Sequence, residues 1–164
     1  KGLDLLLPAA KKFYAIHPSS QLIVIVPKNP KSIFRRLKML IQQLQLEKHI
    51  TLLHNLPKPK LYNILCQSSC VVIPSYSEGF CFAAAEANAL QIPIISSQKG
   101  ALAEVVNGQY LSIESLDVDS LYTTLLKAQK GEWEKLPNQK FPLEKTIQQY
   151  LNLYEGLLNE KTNR

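Results

Sequence analysis

Two carboxylates, a glycine and a helix start lie close together in "IPSYSEGFCFAAAEANALQIPIISS", residues 73 to 97. Glu78 and Gly79 open a turn, and an alanine-rich helix starting near Phe82 carries Glu86 about one turn in. Gly79 lets the backbone bend sharply and bring its amides near a ligand. The free N–H groups and positive dipole end of a helix that begins at Phe82 make an anion site. A carboxylate cannot pair with a phosphate, but it accepts two hydrogen bonds from a vicinal diol. An anion at the helix start with a diol beside Glu86 describes a ribonucleotide. The bland alternatives are a Glu86 paired with a surface lysine and a Glu78 that only stabilises its turn. Ala83, Ala84, Ala85, Ala87 and Ala89 crowd the helix around Glu86 and favour the ligand role.

The elements that must position this segment are legible from periodicity. Leu3, Leu6, Leu7, Ala10 and Phe13 recur at helical spacing and predict a helix over 3–16. Leu22 to Val26 is a continuous run rich in β-branched residues, the pattern of a strand buried on both faces. A loop over 27–30 leads to a helix over 32–46, whose Arg35, Arg36 and Lys38 form the solvated side. Further strands are expected at 50–53, 70–73, 92–96 and 110–113, with helices at 60–68, 82–90, 100–106, 117–129 and 143–159. Asp117 is the expected N-cap of its helix. The segment through Trp133 and Pro137 reads as a loop.

Strands alternating with helices predict an α/β fold with a doubly wound, Rossmann-like parallel sheet. In open α/β sheets ligands bind at the carboxyl ends of the strands. That rule aligns Pro27-Lys28, His54-Asn55, Ser75 to Gly79 and Ser97 to Gly100 along one edge.

Composition narrows the partners. A chain of 164 residues with 46% apolar content can bury one ordinary core, and no apolar run is long enough to span a membrane. No secretory pattern opens the chain, and Lys1 stands where a complete chain would carry methionine, so a piece of a longer protein is expected. The formal charge of +6 favours anionic ligands: phosphates, nucleic acid or an acidic membrane surface. Nucleic acid is disfavoured, because the lysines are scattered and no RNA-binding or zinc-finger pattern accompanies them. Cys66, Cys70 and Cys81 read as small apolar residues in a reducing cytosol, and no metal-ligand spacing occurs.

"PSYSEGFCFAAAEANALQIPIISS" followed by "KGALAEVVNGQYLS" resembles the C-terminal half of GT-B glycosyltransferases of family 4, whose hallmark is Glu-x7-Glu. "KGLDLLLPAAKKF" and "FPLEKTIQQYLNLYEGLL" are similar to the segments that open and close the same half, so the likeness covers nearly the whole chain. The resemblance implies a nucleotide-sugar (donor) binding domain over 1–164, one half of a GT-B architecture, with an N-terminal acceptor domain outside this sequence. It implies a retaining transfer from a nucleoside-diphosphate sugar to a glycan or lipid-linked acceptor in the cytoplasm, without metal or other cofactor. It implies roles residue by residue. Lys1 holds the donor diphosphate. Glu78, Gly79, Phe80 and Cys81 form the turn that meets sugar and phosphates. Phe82 and Ala83 supply amides at the helix start, and Glu86 binds the ribose hydroxyls.

The sequence departs from that pattern at three places. Cys81 stands where the family has glycine, Pro27-Lys28 replaces a Gly-rich loop, and Ala101 replaces the second residue of a Gly-Gly pair. Lys28 is a candidate to reach the phosphates in compensation, and His54 a candidate to line the base pocket. Lys58 and Lys60 read as solvated, and Glu104 as a charge favourable at its own helix start. The terminal helix is expected to pack towards the other domain, so that Leu153 or Leu157 could drive dimerisation of the isolated piece. A sugar-nucleotide epimerase of the same architecture and a non-catalytic nucleotide-binding domain are the alternative readings.

Overall fold

A computed structural model describes residues 1–27, 30–139 and 141–162. The elements run α1 (Leu3–Tyr14), β1 (Leu22–Val26), α2 (Lys31–Gln43), β2 (Ile50–His54), α3 (Lys58–Cys66) and β3 (Val71–Ile73). They continue with α4 (Phe82–Ala89), β4 (Ile94–Ser96), α5 (Leu102–Val105), β5 (Gly108–Ser112), α6 (Val118–Gln129), β6 (Glu134–Leu136) and α7 (Leu143–Thr162). The strands form two groups. β1 and β2 pair in parallel, Leu22 opposite Ile50 through Val26 opposite His54. β3, β4 and β5 pair in parallel in that order, and β6 joins β5 antiparallel.

The α/β alternation read from the sequence holds. β6 is an addition to it, because Glu134-Lys135-Leu136 lies on an exposed edge and carries charges instead of an alternating apolar pattern. β4 is the most buried strand, since β3 and β5 flank it and helices cover both faces; Ile94, Ile95 and Ser96 are all fully buried.

Three apolar clusters hold the molecule together. Leu7, Ala10, Phe13 and Tyr14 of α1 meet Val24 of β1 and Leu37 and Ile41 of α2. The other side of α1, Leu6 and Ala9, packs with Ile95, Leu111 and Leu121 of α6. On the opposite face Ala84 and Ala87 of α4 pack with Ile73, Ile94, Leu102 and Val105. Asp117 caps α6 as its sequence position suggests, its carboxylate accepting from the Ser120 amide at 2.8 Å.

β1 departs from expectation. A strand buried on both faces would hide Ile23 and Ile25, yet these are 42% and 37% exposed. Among the described residues only β2 pairs with β1, and the face carrying these two isoleucines is left uncovered. α7 is equally bare: every side chain from Leu143 to Asn159 is exposed. No helix among the described residues is long and apolar enough to cross a membrane.

Candidate functional site

The site is built where β3 ends. Gly2 enters α1 at φ 70°, and a Cβ there would collide with the Pro74 carbonyl oxygen, so only glycine allows the two segments this close. That approach sets Lys1 beside the loop after β3. Its Nζ donates to Glu78 Oε1 at 2.5 Å, and Ser75 Oγ donates to the same oxygen at 2.7 Å. The Tyr76 hydroxyl donates to Asp4 Oδ2 at 2.7 Å and ties the same loop to α1 a second time.

The loop after β4 clamps it from the other side. Ser97 Oγ donates to the Ser75 carbonyl at 2.6 Å, and the Ala101 amide donates to the Glu78 carbonyl at 3.0 Å. Gly100, at φ 62°, passes so close that a Cβ would stand 2.5 Å from the Glu78 carbonyl oxygen. Ala101 itself is ordinary right-handed backbone, so its departure from a Gly-Gly pair carries no strain.

Glu78 is thus fixed from three directions, with its side chain 9% exposed against 73% for Lys1. Burial pushes its carboxyl up, but the hydrogen bonds from Lys1 and Ser75 and the charge of Lys1 outweigh that, holding it below its ordinary 4.5. The result is an ionised carboxylate and a largely solvated ammonium at the carboxyl edge of the sheet.

α4 starts directly after this loop. The sharp turn falls on Cys81, at φ 69°, and not on Gly79 as the sequence suggested. Gly79 has ordinary backbone and open space where a Cβ would sit. The amides of Ala84 and Ala85 bond back to the Cys81 carbonyl, leaving those of Phe82 and Ala83 without an intrahelical partner. Burial raises the Cys81 thiol above its ordinary range, more than the nearby Ala84 and Ala83 amides lower it, and the thiol closes no cap hydrogen bond. Phe80 is half-buried against the core and touches Phe82 edge-on at 5.2 Å, while the Phe82 ring is 76% exposed.

Glu86 is half-buried on α4, and among the described residues its carboxylate has no hydrogen bond or ion pair. The alanine crowding around it is one-sided: Ala84 and Ala87 are buried, Ala83 and Ala89 exposed. Asn88 holds the helix in place, donating to the Val105 carbonyl at 2.6 Å and accepting from the Asn107 amide at 3.3 Å.

The remaining expectations divide. His54 ends β2, with its ring edge-on to Phe34 at 5.4 Å and Nδ1 buried without a hydrogen-bond partner among the described residues. Lys28 lies outside the described residues. Lys58, Lys60 and Glu104 are exposed, and Cys66, Cys70 and Cys81 are free thiols. No group of three metal-ligating side chains occurs among the described residues. The strand-end rule placed Ser75, Tyr76 and Ser97 on the ligand edge without giving them roles, and Asp4 was not legible there at all, because their partners lie on other elements.

Comparison with known proteins matches residues 1–140 to the model for glycosyl transferases group 1. A D-inositol 3-phosphate glycosyltransferase of Corynebacterium jeikeium is 26% identical over 96% of this chain and 41% of its own length. The phosphatidylinositol N-acetylglucosaminyltransferase GPI3 subunit of Saccharomyces cerevisiae is 30% identical over 78% of this chain and 28% of its own. The chain therefore spans well under half the length of these relatives. Among solved structures, sucrose-phosphate synthase from Thermosynechococcus elongatus superposes with a TM-score of 0.79 at 23% identity, over 98% of this chain and 43% of that one. Anabaena HepE in complex with UDP-glucose superposes with a TM-score of 0.66 at 19% identity, over 80% and 36%. These structures share the Rossmann-like α/β fold.

Proposed function

Because the chain belongs to the glycosyl transferases group 1 family, we propose that residues 1–164 are the donor-binding, Rossmann-like half of a GT-B glycosyltransferase. The reading is a retaining enzyme of family 4, with Glu78 and Glu86 as its Glu-x7-Glu pair. The observation that carries the proposal is the convergence of Lys1, Glu78 and the head of α4 at one edge of the sheet.

Each group has a task there. A nucleoside diphosphate lies with its phosphates over the Phe82 and Ala83 amides, where the positive end of α4 favours negative charge. Lys1 adds a full positive charge on the leaving diphosphate as the bond to the sugar breaks. Stabilising charge that develops in the transition state is what lowers a barrier, so no metal ion is required for this step. Glu86, without a partner in the protein, accepts hydrogen bonds from the ribose hydroxyls. Glu78, already held by Lys1 and Ser75, orients Lys1 and faces the sugar from the turn, where the open space at Gly79 leaves room.

The acceptor, a glycan or a lipid-linked sugar, is presented by a second domain across the cleft. The named relatives are a D-inositol 3-phosphate glycosyltransferase and a phosphatidylinositol N-acetylglucosaminyltransferase subunit, which supports an acceptor bearing hydroxyl groups, in the second case on a lipid.

Titration calorimetry with UDP, GDP and ADP tests the site. Glu86→Ala should weaken the preferred nucleotide by about 2–4 kcal/mol, the loss of two charge-assisted hydrogen bonds. Unchanged affinity in a folded variant rejects the ribose role.

A further inference from the structure

Five carboxamides gather at the far side of the sheet from Lys1 and Glu78. Asn88 and Gln91 come from the last turn of α4 and just beyond it, Asn107 and Gln109 from the start of β5, and Asn138 from the segment after β6. They line an open cavity of about 370 Å³, at the small end of the roughly 300–1,000 Å³ that ligand pockets span. Ile92 and Leu136 give it apolar patches, and among the described residues Lys135 is the one charged side chain in its lining.

The strands place this cavity away from the proposed donor site. Ile92 precedes β4, Gly108 opens β5, and Leu136, its antiparallel partner, closes β6. The cavity therefore lies at the amino ends of the parallel strands. α4 spans the distance, its first turn at the Glu78 loop and its last at the cavity, about 12 Å for its 8 residues.

The amides are built into the fold. Asn107 is 5% exposed, and its Nδ2 donates to the Val105 carbonyl at 3.0 Å and to the Gln139 carbonyl at 3.4 Å. Those two bonds fix the group and leave Oδ1, which accepts no hydrogen bond among the described residues, for the cavity that Asn107 lines. A side chain buried this deeply normally has its polar atoms matched. Asn88, tied to the same Val105 carbonyl, keeps a second N–H and a second lone pair. Gly108, at φ 68°, carries no side chain, and a Cβ there would stand 3.4 Å from Asn138 Oδ1, so the glycine leaves space beside that amide. Gln109 stands opposite Lys135 in the β5–β6 ladder.

A carboxamide offers donors and an acceptor on one planar group, and a sugar hydroxyl both donates and accepts. Several such groups around apolar patches match a pyranose ring, which has hydroxyls at its rim and C–H groups on its faces. A phosphate suits the place poorly, because α4 turns the negative end of its dipole towards it and one lysine stands against that. We propose that this cavity binds a neutral saccharide, at a site separate from the donor edge. The proposal is independent of the transferase reading, since it uses neither Lys1 nor Glu78 nor the head of α4.

Side-chain amide NMR on the 164-residue chain reads the five carboxamides directly. The probes are glucose, galactose, mannose and N-acetylglucosamine, and a linear trisaccharide of each. At least one should give saturable shifts at these amides with millimolar affinity, while the backbone amides of Gly79 and Phe82 stay in place. A trisaccharide that binds more tightly than its single sugar makes the occupant a glycan chain; equal affinity makes it a free sugar. Gln109→Ala with Asn138→Ala, both exposed and outside the core, should weaken binding at least fivefold without changing Tm. Four outcomes overturn the proposal: no saturable shift at the five amides with any sugar; shifts centred on Gly79 and Phe82; unchanged affinity in the folded double variant; or inorganic phosphate binding here more tightly than any sugar, which would make Lys135 the centre of an anion site.

Discussion

Cys81 sets two effects against each other at the head of α4, and substituting it separates them. Its left-handed backbone, at φ 69°, costs a residue with a Cβ about 1–2 kcal/mol. Cys81→Gly recovers that, but frees the unfolded chain by about 0.4–1 kcal/mol. It also forfeits the half-buried side chain, worth about 0.5–1 kcal/mol. The net change in stability should be within about 1 kcal/mol. Cys81→Ala keeps the strain and loses most of the packing. The glycine variant should therefore be the more stable of the two by about 0.5–1 kcal/mol, a Tm difference of about 2–3 °C for a chain of this size. Nucleotide affinity should respond differently. The thiol lies near the amides at the start of α4, where the phosphates are proposed to bind. Both substitutions uncover those amides, and a gain of about 1 kcal/mol would tighten nucleoside diphosphate binding about fivefold. Thermal melts and calorimetry on the two variants read both quantities. An alanine variant as stable as the glycine variant refutes the strain. Weaker binding by both variants refutes the obstruction and makes the thiol a donor contact.

Because the folded Glu78 carboxyl titrates below its ordinary 4.5, its pairing stabilises the fold fully above that pH and is lost as pH falls through the lower folded value. The Tm gap between the parent and Glu78→Gln should narrow only below about pH 4.5; a gap constant from pH 6 to 3 contradicts the assignment. It should also be small, at most about 1 kcal/mol, since solvent screens the exposed Lys1. The full-length transferase should keep its rate in excess chelator, because charge stabilisation is assigned to Lys1 and α4; a rate that collapses and returns with Mn2+ rejects that mechanism. Residues 1–164 alone should bind nucleotide without transferring sugar, since the proposed reading assigns the wall that excludes water and presents the acceptor to a second domain. Turnover of labelled donor by this chain would show that the catalytic apparatus is complete within it. The exposed stripe on α7, with Leu153 at 54% and Leu157 at 50%, should drive weak self-association that Leu153→Asn with Leu157→Asn abolishes in sedimentation.

Local chemistry made much of this protein legible from its residues alone. Asp117 announced a helix because its carboxylate satisfies an amide three residues on, which needs nothing from the rest of the chain. The run Leu22 to Val26 declared a strand through its β-branched side chains. The ligand role proposed for Glu86 draws on the same kind of local pattern, residue types and spacing within one helical turn. What depends on distant segments was decided by tertiary structure. The left-handed turn sits on Cys81 instead of Gly79 because the loop is clamped through Ser97, Gly100 and Ala101, which reach Ser75 and Glu78 across the sheet edge. Glu78 pairs with Lys1 because Gly2 alone can approach Pro74 so closely, across more than seventy residues of sequence. Burial on both faces of β1 could not be read from its composition, since an apolar run records the capacity to be covered, and its neighbours decide whether it is.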